Sequence, residues 1–289
     1  MIERILVPLD GSELAESVLP YVRHMAVSTG AGVRLITVVK DESDREKANS
    51  YLRSRQERLG LEAIETSVTA SGNGEAEGIL SEAEGWNADL IAMSTHGRSG
   101  AMRWVFGSVA DKVIHATTRP LLLVRSRPEE PTPEEVQIDR VLVPLDGSGL
   151  SLGVLPYVEG IAKALGATLV LFSAVAPPQT YTGVEIGAMP VPTADLIDEM
   201  MAQSQESLTG VAKEIEERGV KTRSMVTTGF PVSEIVRAAQ EVEAGLIAVA
   251  THGRSGVNRW IMGSVADGVV RRSALPCLIV RPEGLAAPE

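Results

Sequence analysis

The chain writes the same sentence twice. ERILVPLDGSELAESVLPYV (Glu3 to Val22) returns as DRVLVPLDGSGLSLGVLPYV (Asp139 to Val158), and STHGRSGAMRWVFGSVAD (Ser94 to Asp111) returns as ATHGRSGVNRWIMGSVAD (Ala250 to Asp267). A sequence repeated in this way builds one structural unit twice, and 289 residues suit two domains of ordinary size. The first pair of segments is offset by 136 residues (139 − 3) and the second by 156 (250 − 94), so the second copy carries 20 extra residues (156 − 136) between them. Those extra residues fall around Pro177 to Leu196, where Pro, Gly and Thr predict a long loop. Between the copies, Ser126 to Gln137 is dominated by Pro and Glu and predicts a stiff, solvated linker. The expected units are therefore residues 1–126, a linker at 127–137, and residues 138–283 with an insertion near 177–196.

Within a copy, strand and helix patterns alternate. RILVPL, GVRLITVV, EAIETSVTA, ADLIAMS and PLLLVR read as strands. LAESVLPYVRHMAVSTG, DREKANSYLRSRQERLG, EAEGILSEAEGW and GSVADKVIHAT read as helices. Short Val, Leu and Ile runs joined by crossover helices predict parallel sheets covered on both faces. The expected fold class is α/β, with two tandem open parallel five-stranded sheets. Aromatic residues make up only 3% of the chain, so aliphatic side chains must build the core. Open sheets of this kind bind ligands beyond the carboxyl ends of their strands, where the strand order reverses.

Several function classes fall away at this point. The net charge of −11 offers no basic footprint for nucleic acid. Small anions stay in play, because backbone amides bind them whatever the global charge. No run of about 18 apolar residues could span a bilayer, and MIERILVPLD lacks the basic-then-apolar shape of a signal peptide. A soluble cytoplasmic protein with no membrane partner is expected. The one cysteine, Cys277, lies in the apolar run LPCLIV and reads as a small buried residue. No Cys/His/Asp cluster has metal-ligand spacing, and no acid pair suggests a general acid/base dyad.

The glycine-rich segment has two readings. Ser94 to Gly97 follows a strand, and Gly107 and Ser108 open a helix; Ala250 to Gly253 and Gly263-Ser264 repeat the arrangement. The free amides and positive dipole end of a helix N-terminus favour an anion, and glycine allows close backbone approach. The segment is thus either a phosphate cradle or a turn that merely connects strand to helix. No G-x-x-x-x-G-K-[ST] loop occurs. GSGLSLG (Gly147 to Gly153) and GNGEAEG (Gly72 to Gly78) miss the dinucleotide fingerprint by one residue in the last gap. Within the loops, His96 and His252 suit loop shaping or a phosphate edge better than catalysis. Arg98, Arg103, Arg254 and Arg259 could screen phosphate charge or stand in solvent. Trp104 and Trp260 read as a packing lid or a subunit contact, with packing preferred, and His24 and His115 as helix surface or packing residues. Asp10 and Asp146 precede Gly-Ser and fit an Asx turn as well as a ligand contact.

Taken together, VPLDGS (Val7 to Ser12 and Val143 to Ser148), the THGRSG loop and the GSVAD helix start resemble the universal stress protein family in its tandem two-domain form, over nearly the whole of both copies. The resemblance implies strand order 3-2-1-4-5 in each sheet, an adenine nucleotide alpha-hydrolase-like fold. It also implies pairing of the last strands, PLLLVR and PCLIVR, which here can occur within one chain as a pseudo-dimer, with a homodimer as a further assembly. The family's ATP-binding branch carries G-x2-G-x9-G-[ST]. On this sequence the motif places Gly97 and Gly253 second and Gly107-Ser108 and Gly263-Ser264 last. Ser94 and Ala250 take the place of the first glycine. Each puts a Cβ where the motif has none, which costs about 1 kcal/mol if that position is strained.

By the same resemblance, the first copy's nucleotide would touch Pro8, Leu9, Asp10, Val38, Ser94, His96, Gly97, Arg98, Gly100, Gly107, Ser108 and Val109. The second would touch Pro144, Leu145, Asp146, Ala174, Ala250, His252, Gly253, Arg254, Gly256, Gly263, Ser264 and Val265. The aspartates would meet the adenosine end, and Val38 would wall the adenine, with Ala174 as its smaller counterpart. The expected function is a stress-response, ATP-responsive regulatory module, with ATP, accompanied by Mg2+, in one or both copies. Of the two, the first copy should be the stronger site, since Ser94 can hydrogen-bond and Val38 gives a fuller wall. Turnover is expected to be weak ATPase or autophosphorylation at most. The alternatives are a dimerising scaffold of the same family that binds no nucleotide, favoured by Ser94 and Ala250, and a nucleotide-consuming enzyme, disfavoured by the lack of a P-loop-like signature.

Overall fold

In the computed structural model, residues 2–95, 106–126, 131–132, 135–176, 194–251 and 262–282 are described. The first copy runs β1 (Arg4–Pro8), α1 (Glu13–Glu16), α2 (Leu19–Thr29), β2 (Gly32–Val39), α3 (Arg45–Leu59), β3 (Ile64–Ala70), α4 (Glu75–Gly85), β4 (Leu90–Ser94), α5 (Ser108–Ala116) and β5 (Leu121–Val124). The second repeats it as β6 (Arg140–Pro144), α6 (Gly149–Leu152), α7 (Leu155–Leu165), β7 (Thr168–Val175), α8 (Ala194–Glu217), β8 (Thr222–Thr228), α9 (Pro231–Glu241), β9 (Leu246–Ala250), α10 (Ser264–Arg272) and β10 (Cys277–Val280).

The ten strands among the described residues form one sheet, in the order β3-β2-β1-β4-β5-β10-β9-β6-β7-β8. Each half has the 3-2-1-4-5 order, with every pair inside a half parallel. The two five-stranded halves join at the seam through their last strands, as expected for an intrachain pseudo-dimer. There β5 and β10 pair antiparallel, Leu122 opposite Leu278. The physical reason is the bare ladder each last strand would otherwise expose; joining the two removes both edges.

A fully covered sheet needs an apolar layer on each face, and both layers run across the two copies. One lies under α2, α3, α7 and α8, with Leu52, Val22 and Ile215 fully buried. The other lies under α4, α5, α9 and α10, with Ile91, Phe172 and Val269. Cys277 is buried in β10, and burial pushes its thiol up to about 12.

Three sequence expectations shift. LAESVLPYVRHMAVSTG forms two helices, not one: α1 stops at Ser17, and α2 begins with Pro20 in its first turn. Proline lacks the N–H that a continuing helix would bond and crowds the carbonyl four residues before it. The linker's end is not solvated. Val136 is 5% exposed and sits in the core, and Gln137 O lies 2.3 Å from where a Cβ on Gly245 would stand. The insertion, expected as loop through Leu196, is helical from Ala194. Helix α8 has 24 residues where α3 has 15. Residues 177–193 lie outside the described residues.

Candidate functional site

Each half holds a cavity at the carboxyl ends of its strands. The first occupies about 280 Å³ and the second about 470 Å³, both within or near the range of small-ligand sites. They lie where the order reverses, between β1 and β4 and between β6 and β9, as the topology requires.

The polar end of each cavity is a helix start. Gly107 is the N-cap of α5 and Gly263 that of α10; neither supplies a side-chain acceptor. The first intrahelical bonds run from Asp111 N–H to Gly107 O and from Asp267 N–H to Gly263 O. The amides of Ser108, Val109 and Ala110, and of Ser264, Val265 and Ala266, therefore have no intrahelical partner. All six residues line the cavities. Gly107 N–H is held by Thr95 O, and Gly263 N–H by Thr251 O, which ties each helix start to the end of its neighbouring strand. Such an end is charge-matched to an anion, worth about 0.3–2 kcal/mol from the dipole alone.

A sharp turn forms the side wall. Asp10 follows β1, and its Oδ1 accepts from Ser12 N–H at 2.9 Å and from Ser12 Oγ–H at 2.6 Å. Asp146 and Ser148 repeat this at 3.0 and 2.6 Å. Gly11 and Gly147 carry the positive φ of the turn, 84° and 78°. Both readings of the aspartates hold together: each makes an Asx turn, and each lines its cavity. The turn fixes the carboxylate in place.

At the far, apolar end the copies diverge. Val38, Ile79 and Met93 line the first cavity, and Ala174, Ile235 and Val249 the second. The first also has Glu75, bridged to Lys40 at 3.4 Å. Its carboxyl is held below the usual 4.5, first by its own amide N–H and then by Lys40. Pro231 stands there in the second, beside Met200, Gln203 and Ser204 from the extended α8.

The structure brings Pro8, Leu9, Asp10, Val38, Ser94, Gly107, Ser108 and Val109 around the first cavity. It brings Pro144, Leu145, Asp146, Ala174, Ala250, Gly263, Ser264 and Val265 around the second. His96, Gly97, Arg98, Gly100, Arg103, Trp104, His252, Gly253, Arg254, Gly256, Arg259 and Trp260 lie outside the described residues. Ser94 is engaged: its Oγ is 2.8 Å from Ser126 Oγ and 3.3 Å from Ser17 Oγ, and both of those donate to Leu14 O. The hydroxyl that the sequence offers to a ligand thus belongs to a polar cluster that joins β4, the end of α1 and the residues after β5. Sequence reasoning missed Glu75, which opens α4 as an acid in a first turn, and Met200, Gln203 and Ser204, which the first half of the long helix α8 brings to the cavity.

Among the described residues, no group of three or more His, Cys, Asp or Glu could hold a metal ion, and no helix is long and apolar enough to cross a membrane.

Comparison with known proteins matches these features to one group. The pattern of the universal stress protein family fits residues 1–125 and again residues 137–281. A universal stress protein of Methanocaldococcus jannaschii is 32% identical over 143 residues, 49% of this chain and 81% of that protein. One from Bacillus subtilis is 29% identical over 146 residues, 50% of this chain and 99% of that protein. A solved universal stress protein structure from Archaeoglobus fulgidus aligns with a TM-score of 0.72 at 22% identity, covering 96% of this chain and 98% of that one. A protein from Pseudomonas aeruginosa aligns with a TM-score of 0.71 at 18% identity, covering 98% and 93%. At these identities the two structures establish the shared fold.

Proposed function

The chain belongs to the universal stress protein family, in tandem two-domain form, and from that premise we propose that it is a stress-response module that binds ATP in both copies. One observation carries the reading. Each copy joins an uncapped helix N-terminus, an oriented carboxylate and an apolar far wall around a single cavity. That sequence of surfaces suits a phosphate chain, a ribose and a base in that order.

In this reading the amides of Ser108 to Ala110 and of Ser264 to Ala266 donate to phosphate oxygens. Asp10 and Asp146, held by Ser12 and Ser148, accept from ribose hydroxyls. Val38 and Ala174 flank the base. Mg2+ accompanies the phosphates, which together with water can supply its oxygen ligands. Occupancy changes the strand-end surface that a partner would meet, in a soluble cytoplasmic setting. The scaffold reading keeps one observation of its own: Ser94 and Ala250 both place a Cβ at the cavity's edge.

The test is calorimetric titration of the full chain with ATP and Mg2+, paired with a count of released phosphate. Two sites with little phosphate release support the proposal. No heat, and no nucleotide carried through purification, overturns it in favour of the scaffold.

A further inference from the structure

The two cavities share a helix start and an aspartate turn and differ in the apolar residues that line them. Val38 becomes Ala174, and Met93 becomes Val249. Each of these two exchanges removes bulk, while Phe172, at the position of Ile36, and Met200 add to the lining of the second cavity, which is still larger by about 190 Å³ (470 − 280).

Val38 also cannot step aside. Helix α4 lies directly against it: a Cβ on Gly78 would stand 2.8 Å from Val38 Cγ1 and 3.0 Å from Cγ2. Valine has few rotamers to escape into, so the wall is clamped between its strand and this helix. At the matching position of α9 the second copy has Glu234, opposite an alanine with no γ carbons. The clamp of valine on glycine is absent there.

Charge changes in the same place. Lys40 bridges Glu75 at 3.4 Å at the first cavity, and the charge of Lys112 acts on the same carboxyl more weakly. Their counterparts are Ala176, Pro231 and Gly268. The extended α8 adds the thioether of Met200 and the amide of Gln203 to the second wall. A soft, polarizable thioether suits a broad apolar or aromatic group.

We infer that the two copies sort adenine nucleotides by size at the base: the first admits the unsubstituted base only, and the second admits a base enlarged on the edge remote from the ribose. This rests on the nucleotide reading above. With phosphates on the helix N-terminus and the ribose at the aspartate turn, the edge of the purine that bears its amino group is the part that reaches Val38 or Ala174. Val38 and Ala174 are then the residues that determine specificity. A ligand pressed onto a clamped side chain loses about tenfold or more in affinity, the usual scale for one crowded methyl group or two.

The experiment is calorimetry on the full chain with Mg2+, using ATP and N6-benzyl-ATP as the two probes. The wild type should bind two ATP and one N6-benzyl-ATP. Ala174→Val should lower the benzyl-to-ATP affinity ratio of the second copy at least tenfold. Val38→Ala only removes atoms, so it tests the same wall without crowding; it should raise the number of benzyl sites from one to two. ATP at both copies, with benzyl binding that ignores both substitutions, overturns the sorting and leaves the nucleotide reading standing. ATP at neither copy overturns the nucleotide reading, and the sorting with it.

Discussion

Where the first copy places three serine hydroxyls, the second places none. Ser17, Ser94 and Ser126 meet above Leu14 O, and the matching positions are Gly153, Ala250 and Pro282. These are not three independent losses. A Cβ on Gly153 would stand 2.5 Å from Pro282 Cβ, so the proline holds its place only because its neighbour is glycine. One junction is tied by polar bonds and the other by close apolar contact, and each is satisfied in its own way. The lesson is that a duplicated site drifts in coupled groups: a buried hydroxyl left without its partners costs more than removing all of them together. The same holds at the far wall, where Val38 goes with Gly78 and Ala174 with Glu234.

The largest expected effects would break the comparison at the end the copies share. Gly107→Asp or Gly263→Asp puts a carboxylate on the orphan amides that a phosphate would use. Both positions have the extended N-cap backbone that aspartate adopts, so the variant should gain a few tenths of a kcal/mol in stability. Its own copy should lose at least about 100-fold in ATP affinity, because like charges brought together cost several kcal/mol. Urea melts and calorimetry together check the two opposite signs.

The next prediction sharpens the difference at the junction. Gly153→Ser should destabilise the chain by about 1–3 kcal/mol through overpacking against Pro282. Pro282→Ser in the same chain should restore part of that loss. A double-mutant cycle in urea reads the coupling; simple additivity of the two changes would deny it. Ser94→Ala should cost less, about 1 kcal/mol, since Ser17 and Ser126 remain 3.2 Å apart and can still bond each other. The matching site already has alanine, which makes that copy the reference.

The smallest effect is electrostatic. Glu75 has its carboxyl held below 4.5 in the folded chain, so the stabilisation it brings is present above that value and lost as pH falls through the lower, folded one. Its side chain is 42% exposed, so solvent screening keeps the contribution small. Glu75→Gln should flatten the fall in urea midpoint as pH drops below 4.5. An unchanged acid slope would remove Glu75 from the account. Pro231 gives the second copy no such dependence.

How far the sequence could be read follows from where each feature is encoded. The strands and most helices were legible because their signal is local: runs of Val, Leu and Ile, and glycine at helix ends such as Gly30 and Gly60, both in the left-handed conformation. The helix starts at Gly107-Ser108 and Gly263-Ser264 were legible from the pattern that follows them, but not that a glycine without a side-chain acceptor is the N-cap. The break between α1 and α2 was written in Pro20 but was outweighed by helical periodicity on both sides. The serine cluster was not legible at all, since residues 17, 94 and 126 show no pattern until the parallel topology brings the ends of α1, β4 and β5 together. Val136 was hidden by its Pro- and Glu-rich neighbours. The α8 contribution to the second cavity was not legible from local pattern, since it depends on how that helix lies over the strand ends.

The central claim is that both copies seat a nucleotide with its phosphates on the helix N-terminus. A crystal structure of the full chain with a non-hydrolysable ATP analogue and Mg2+ tests it most directly. The account predicts analogue in both cavities, with phosphate oxygens in hydrogen-bond reach of the Ser108 and Ser264 amides and the base against Val38 and Ala174. Cavities that stay empty at saturating analogue, or phosphates bound away from those two helix starts, would contradict it.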